Sequence, residues 1–444
     1  MLLVEMLGDP DPIVPPRRAP ARAVVLAALG LALGCAEPPA SPAPCVPTPP
    51  TARGFYGVHA SCGAWTLVTP AGAPFYSVGV NSATPYGTRN GVTGAYAYRD
   101  AVLARYGSDA AWGQATGARL RGWGFNTAGG WSQAELLADD LAVTKVLYLS
   151  GGDWQTGTNV DWFAPAWEAD VRARVDAAVT PWLHDPRVLG WFLDNEMKWG
   201  PDWRGADTLL ARYLALDAAA PGKAVAVDAW LAAAPDAGPR DELLQRTAWG
   251  TPPAAAVADF LARAAERYFA TTTAIVRARD PDHLILGNRD VSVMTRAEVW
   301  QAAARHVDVL SVNYYTYQEG IAGLALSLSG GVDPAGWFQA QHDLADKPFL
   351  VSEFGFRAAD AGLPSSYPPV YPTLATQQER ADAYDAYVSG ARSVPWIVGT
   401  HWFEYTDQPA DGRFDGENNN WGIVDEADDP YPVLVERMTA VNAR

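Results

Sequence analysis

The stretch Val188–Gly200, VLGWFLDNEMKWG, decides how this chain is to be read. Five mostly apolar residues, Val188 to Phe192, run without a turn signal into Leu193-Asp194-Asn195-Glu196. A strand apolar on both faces belongs in a parallel sheet covered by helices. Such a strand can end in adjacent polar residues when its C-terminal end forms the floor of a cleft.

Working outward, the same pattern recurs. WTLVTPAGAPFYSVGVN (65–81) reads as a hairpin turning at Pro70-Ala71-Gly72, whose second arm continues into a first core strand ending at Asn81. RGWGFNTAG holds a second strand ending near Asn126, and AVTKVLYLSGG a third. RVLGWFLDNE is the fourth, DHLILGNRD the fifth, HVDVLSVNYY the sixth, KPFLVSEFGF the seventh and WIVGTHWFEY the eighth. Helical patterns lie between them. Ser132-Gln-Ala-Glu135 and Thr376-Gln-Gln-Glu379 both have the form of a helix-capping box. Eight β-then-α units predict an α/β fold, a parallel (β/α)8 TIM barrel with a small N-terminal β-hairpin. The region between the fourth and fifth strands, 201–282, is longer than one unit needs and is expected to shape the cleft. No GxGxxG follows an early strand, which disfavours an open dinucleotide-binding sheet.

Nearly half of the 444 residues are hydrophobic, enough for a large core, and the net charge is −17. Without clustered Lys and Arg a nucleic-acid partner is not expected. Eighteen Trp leave some free to line a cleft and stack on sugar rings. Residues 1–35 read as a signal segment: Arg17, Arg18 and Arg22 precede the apolar run 23–34, which is too short to span a bilayer, and ALGC places Cys35 where a bacterial lipoprotein carries its lipid. Residues 36–53 read as a Pro-rich linker and 54–444 as the barrel unit. The expected location is therefore outside the cytoplasm, anchored to the outer membrane or extracellular. Cys45 and Cys62 are left either as a disulfide or as two free thiols. The six His form no HExxH or Cys–His cluster, so neither a catalytic metal nor another cofactor is expected.

In such a barrel the strand ends share one mouth. They offer Asn81, Asn126, Asn195, Glu196, Asn313, Tyr314, Tyr315, Glu353, His401, Trp402 and Glu404. Two carboxylates flanking a sugar bond suffice for glycoside hydrolysis, one protonated and one ionised. Glu196 and Glu353 are the natural pair, because strands four and seven face each other across a barrel. Glu404 and Asp407 are rival acids. Burial beside Trp191 or Trp199, and the like charge of Glu353, would raise the pKa of Glu196.

An Asn-Glu at the end of strand four, a Glu at the end of strand seven, a Tyr after strand six and a Trp on strand eight resemble glycoside hydrolase clan A. GWFLDNEMKWG, DPDHLILGNR, SVNYY, LVSEFGF and the long GTHWFEYTDQPADGRFDGENNNWGIVD are similar, more narrowly, to the β-agarases of glycoside hydrolase family 50. The likeness runs from about Gly54 to the C-terminus, with Asp290 standing where an aromatic residue usually follows the strand-five Arg. It implies retention of configuration with Glu353 as nucleophile and Glu196 as acid and then base. Asn195 would donate to the sugar 2-hydroxyl, Tyr314 or Tyr315 would hydrogen-bond Glu353, Arg289 would supply its counter-charge, and Trp402 would stack on the sugar. In DGRFDGENNNWG (411–422), Asp415, Glu417 and Asn418 could hold a Ca²⁺, but the spacing is not that of an EF-hand. The preferred reading has Glu417 at the cleft rim on sugar hydroxyls. The expected partner is a β-galactan polysaccharide or oligosaccharide. Two alternatives stand beside it: a clan A β-galactosidase on short oligosaccharides, and a non-catalytic, lipid-anchored sugar-binding barrel.

Overall fold

A computed structural model describes residues 45–137, 140–292, 294–315 and 335–444. The signal segment, Cys35 and half of the linker (36–44) lie outside the described residues. Three strands, β1 (Gly57–Ser61), β2 (Ala64–Val68) and β3 (Pro74–Phe75), form a small antiparallel sheet in the order β1-β2-β3, so the expected hairpin is two strands of a three-stranded sheet. Cys45 is disulfide-bonded to Cys62 beside it.

The main sheet holds β4 (Ser77–Val80), β5 (Thr127–Ala128), β6 (Ala142–Val146), β7 (Val188–Phe192), β8 (Leu284–Ile285), β9 (Asp290–Val291), β10 (Leu310–Asn313), β11 (Phe349–Phe354) and β14 (Ile397–Trp402). Between the last two, β12 (Arg357–Ala358) pairs with β13 (Thr373–Leu374) as a separate ribbon. The order is β8-β7-β6-β5-β4-β14-β11-β10-β9, nine short strands, and every pairing is parallel. The first core strand therefore lies beside the last, with Gly399 to Trp402 in register with Ser77 to Val80. β8 and β9 belong to one segment, 284–291. Leu286 N donates to Trp191 O (2.8 Å) and Val309 N to Ile285 O (3.2 Å), so this segment bonds to both of its neighbours in the sheet.

The curl gives the sheet two apolar faces. Leu189, Phe192, Leu284, Leu286, Val309, Leu350 and Val398 meet inside, where Leu67 of the small sheet and Tyr56, just before it, cover them. Val188, Trp191, Phe349, Val351, Ile397 and Trp402 face outward into the larger core under the helices. Helices at Asp109–Gly122, Pro165–Val179, Ala254–Arg279, Ala297–Ala304, Gln377–Ser393 and Pro432–Asn442 make that outer layer. The long region after β7 holds three further helices, Leu209–Leu214, Pro221–Ala233 and Arg240–Gln245, before Ala254–Arg279.

Thr376 caps its helix as read, its hydroxyl accepting from Glu379 N at 3.2 Å while Glu379 Oε2 accepts from Ala375 N at 2.7 Å. Ser132 does not start a helix. Its hydroxyl donates to Val80 O and accepts from Ala83 N, both at 3.1 Å, so the local capping signal yields to a tertiary bond with the end of β4.

Candidate active site

The C-terminal ends of the inner strands converge, and the backbone there is unusual. Among the described residues nine that are not glycine have positive φ, and five of them, Ser82, Trp131, Tyr148, Glu196 and Arg289, lie within a few residues of inner-strand ends. Such conformations persist only where surroundings over-determine them, and they cluster at functional sites.

Glu353, near the end of β11, is 5 % exposed. Its Oε1 accepts from Arg289 Nη2 at 2.7 Å and its Oε2 from the Tyr315 hydroxyl at 2.8 Å. Arg289 is wholly buried, and such a charge needs both counter-charge and hydrogen bonds. Besides Glu353 it donates through Nε to Asn195 Oδ1 (2.9 Å), and its guanidinium lies over Trp131 and Phe192, 4.5 and 4.8 Å from the ring centres. Asn313 Nδ2 lies 3.4 Å from the same Asn195 oxygen and donates to Glu196 Oε1 at 3.0 Å. An unbroken polar chain therefore joins the two glutamates: Glu353, Arg289, Asn195, Asn313, Glu196. The second Glu196 oxygen accepts from Trp154 Nε1 at 3.3 Å. Burial first, then repulsion by Glu353, pushes the Glu196 carboxyl up to about 7. A cleft opens beside it, lined by Trp154, Asn159, Glu196, Lys198 and Arg204 among others.

The remaining expectations divide. Tyr315, not Tyr314, reaches Glu353; Tyr314 packs its ring on Trp337 and Phe338. Asn195 Nδ2 has no protein partner among the described residues. Asn81 is buried beneath the site, donating to Ser352 O (2.9 Å) with its oxygen 3.5 Å from Arg289, so it supports the arginine and does not meet the cleft. Asn126 lies at the opposite end of its strand. β5 begins after it, and its amide spans Tyr76 O and Val78 N at 2.9 and 2.8 Å. Trp402 is no stacking platform. His401 points inward to Ser77 (2.8 Å), so two-residue alternation turns Trp402 outward, where it packs against Phe354 and Tyr384 and donates to Trp421 O. Trp402→Ala should therefore cost about 3–5 kcal/mol of stability, as expected for a large core side chain, read by chemical denaturation.

Glu404 and Glu417 share the amide of Gln408, at 3.1 and 2.8 Å, and Glu417 also pairs with Arg413 at 3.0 Å. Burial raises both carboxyls, Glu404 to about 7, and the charge of Glu353 adds to the rise at Glu417. Asp407 serves the fold: Asn420 and the Tyr431 hydroxyl both donate to it. Asp415, Glu417 and Asn418 already have protein partners where a cation site would need their oxygens free. Asp415 binds Arg413, Glu417 binds Gln408 and Arg413, and Asn418 Oδ1 accepts from Ser366 N. Trp191 and Trp199 do not flank Glu196 either; their indoles donate to the buried Asp280 and Asp290.

The site residues that went unread are Trp131, Tyr148, Trp154 and Arg204. Trp131 follows β5 by three residues, and Trp154 lies in the Gly-rich SGGDW that follows the third core strand. The signal was there: an aromatic residue just past a strand end belongs to the mouth.

No protein-family model matches the chain. β-Agarase A of Vibrio sp. (strain JT0107) is 28% identical over 396 residues, covering 78% of this chain and 37% of that protein. β-Agarase B of the same organism is 28% identical over 370 residues, covering 74% and 36%. The chain thus spans a little over a third of the length of these curated relatives. Among solved structures, the crystal structure of an agarase, AgWH50C, superimposes with a TM-score of 0.73 at 24% identity, over 89% of this chain and 66% of that one. The chain is similar in sequence to curated β-agarases, and it shares its fold with a solved agarase.

Proposed function

We propose that the protein is a glycoside hydrolase cleaving β-galactosidic bonds in agarose-like galactans by double displacement. The observation that carries this is the asymmetry of the two linked glutamates. Glu353 is held by a buried guanidinium and a phenol, as suits an ionised nucleophile. Glu196 is held near neutrality by burial and by its neighbour's charge, as suits a general acid at pH 7. In the first step Glu353 attacks the anomeric carbon as the bond to the leaving oxygen breaks, and Glu196 gives that oxygen its proton. In the second, water attacks the same carbon, Glu196 takes the water's proton, and the sugar–Glu353 bond breaks. The Nδ2 of Asn195, without a partner among the described residues, is available to the 2-hydroxyl. The names of the Vibrio relatives support agarose as the substrate.

The bonding of segment 284–291 to both neighbours supports a closed (β/α)8 barrel, and glutamates after strands four and seven support clan A. We read residues 1–35 as the export signal with Cys35 as lipid anchor, 36–53 as the tether and 54–444 as the catalytic unit. The Cys45–Cys62 disulfide supports a location outside the reducing cytoplasm.

The test is incubation with agarose, porphyran, neutral galactan oligosaccharides and aryl β-galactosides, following reducing ends and product anomers. Release with retained configuration is expected; no release from any of them would overturn the proposal. The pH profile follows from Glu196. Its proton is needed to expel the leaving group and is lost as pH rises through its pKa, so kcat/KM should fall above about pH 7. A profile flat to pH 9 would contradict that role.

A further inference from the structure

We infer that Arg204 is a positioning residue that sets the aim and proton affinity of Glu196; this rests on the hydrolase reading above. The side chain of Arg204 is 3 % exposed. Its Nη1 donates to Trp154 O and its Nη2 to Glu196 O, both at 2.8 Å. Its Nε and Nη2 also grip Asp202 Oδ2, at 2.9 and 2.6 Å. Asp202 is in turn 3.7 Å from the buried ammonium of Lys198, which Asp207 holds at 2.9 Å. The guanidinium also lies 4.2 Å from the ring centre of Trp203.

One planar fork thus ties together the backbone of the acid and the backbone of the tryptophan whose indole donates to that acid's carboxylate. Both tied groups need holding. Glu196 has φ +47°, a conformation an L-residue adopts only when fixed from outside. On its other side its N–H donates to Arg289 O at 3.4 Å, so this clamp and the arginine of the nucleophile hold the same residue from two sides. Trp154 reaches Glu196 from a separate loop, after β6, and no other side chain among the described residues bonds to both backbones. A lysine keeps the charge but has no fork with which to span two carbonyls and a carboxylate. The positive charge also favours the ionised form of Glu196, offsetting part of the effect of burial and of Glu353.

A residue that acts through the acid matters only when the leaving group needs a proton. Arg204→Met and Arg204→Lys are to be compared with wild type and Glu196→Gln on two substrates. One is an unactivated β-galactan oligosaccharide; the other is 2,4-dinitrophenyl β-galactoside, whose phenolate departs unprotonated. Since general acid catalysis is worth about 10²–10⁴-fold, misaiming the acid should cost Arg204→Met on the order of 10–100-fold in kcat on the oligosaccharide. The first, glycosylation step on the aryl substrate should change by less than about 3-fold, since it needs no general acid. In Arg204→Met the basic limb of the oligosaccharide profile should move to higher pH. Arg204→Lys should show the same substrate split with the limb unmoved. Equal losses on both substrates in the two variants, or an unmoved limb in Arg204→Met, would overturn the inference and leave Arg204 a loop anchor. Wild-type enzyme inactive on both substrates would instead overturn the hydrolase reading on which it rests.

Discussion

Glu353→Gln should lower kcat on β-galactan by roughly 10⁴-fold or more, because the first bond to the anomeric carbon can no longer form. The substitution keeps the shape of the side chain and leaves the carbonyl oxygen able to accept. It does remove the counter-charge of the buried Arg289, and breaking a buried pair typically costs about 3–5 kcal/mol. Thermal unfolding must therefore be recorded alongside, and activity measured well below the lowered Tm. A smaller variant sharpens the assignment. In Glu353→Ala, azide can enter from the face the carboxylate vacates and attack an activated aryl β-galactoside directly, giving the α-galactosyl azide. No such product, or activity within about 10-fold of wild type after Glu353→Gln, would remove Glu353 from the nucleophile's role.

Glu196→Gln should behave differently. On unactivated galactan the loss should be about 10²–10⁴-fold, the worth of a positioned general acid. On a dinitrophenyl galactoside the first step should stay fast and the glycosyl-enzyme should accumulate, visible as a burst of phenolate followed by slow turnover. In Glu196→Ala azide should attack that intermediate and give the β-galactosyl azide, opposite in configuration to the product of Glu353→Ala. The basic limb near pH 7 should vanish with the carboxyl that causes it. Equal losses on both substrates, with no burst, would assign Glu196 to binding.

The fold was largely legible because its signal is repetitive. VLGWF, FLVSEF and IVGTHW are buried along their whole length, as strands between an inner and an outer core must be. Both glutamates were legible for the same reason, since acids that end such strands have little place but the mouth. Face and direction were harder to read. Trp402 and His401 both stand near the end of β14, but only one can point inward, and register shifts between β11 and β14 hide which. Asn126 failed through a boundary error of a few residues, enough to move it from one end of the strand to the other. Tyr314 and Tyr315 are equivalent on paper; the pleat separates them. Arg204 and Trp154 were invisible for another reason. They lie on loops whose meeting is fixed by tertiary bonds to backbone carbonyls, and a carbonyl acceptor leaves no trace in residue identity.

The most direct test of the linked glutamates is to trap the intermediate. Incubation with 2-deoxy-2-fluoro-β-galactosyl fluoride, or its oligosaccharide equivalent, should add one fluorosugar to the intact mass, and peptide mapping should find it on Glu353. A label on Glu196, Glu404 or Glu417, or full turnover with no trapped sugar on any carboxylate, would contradict the account.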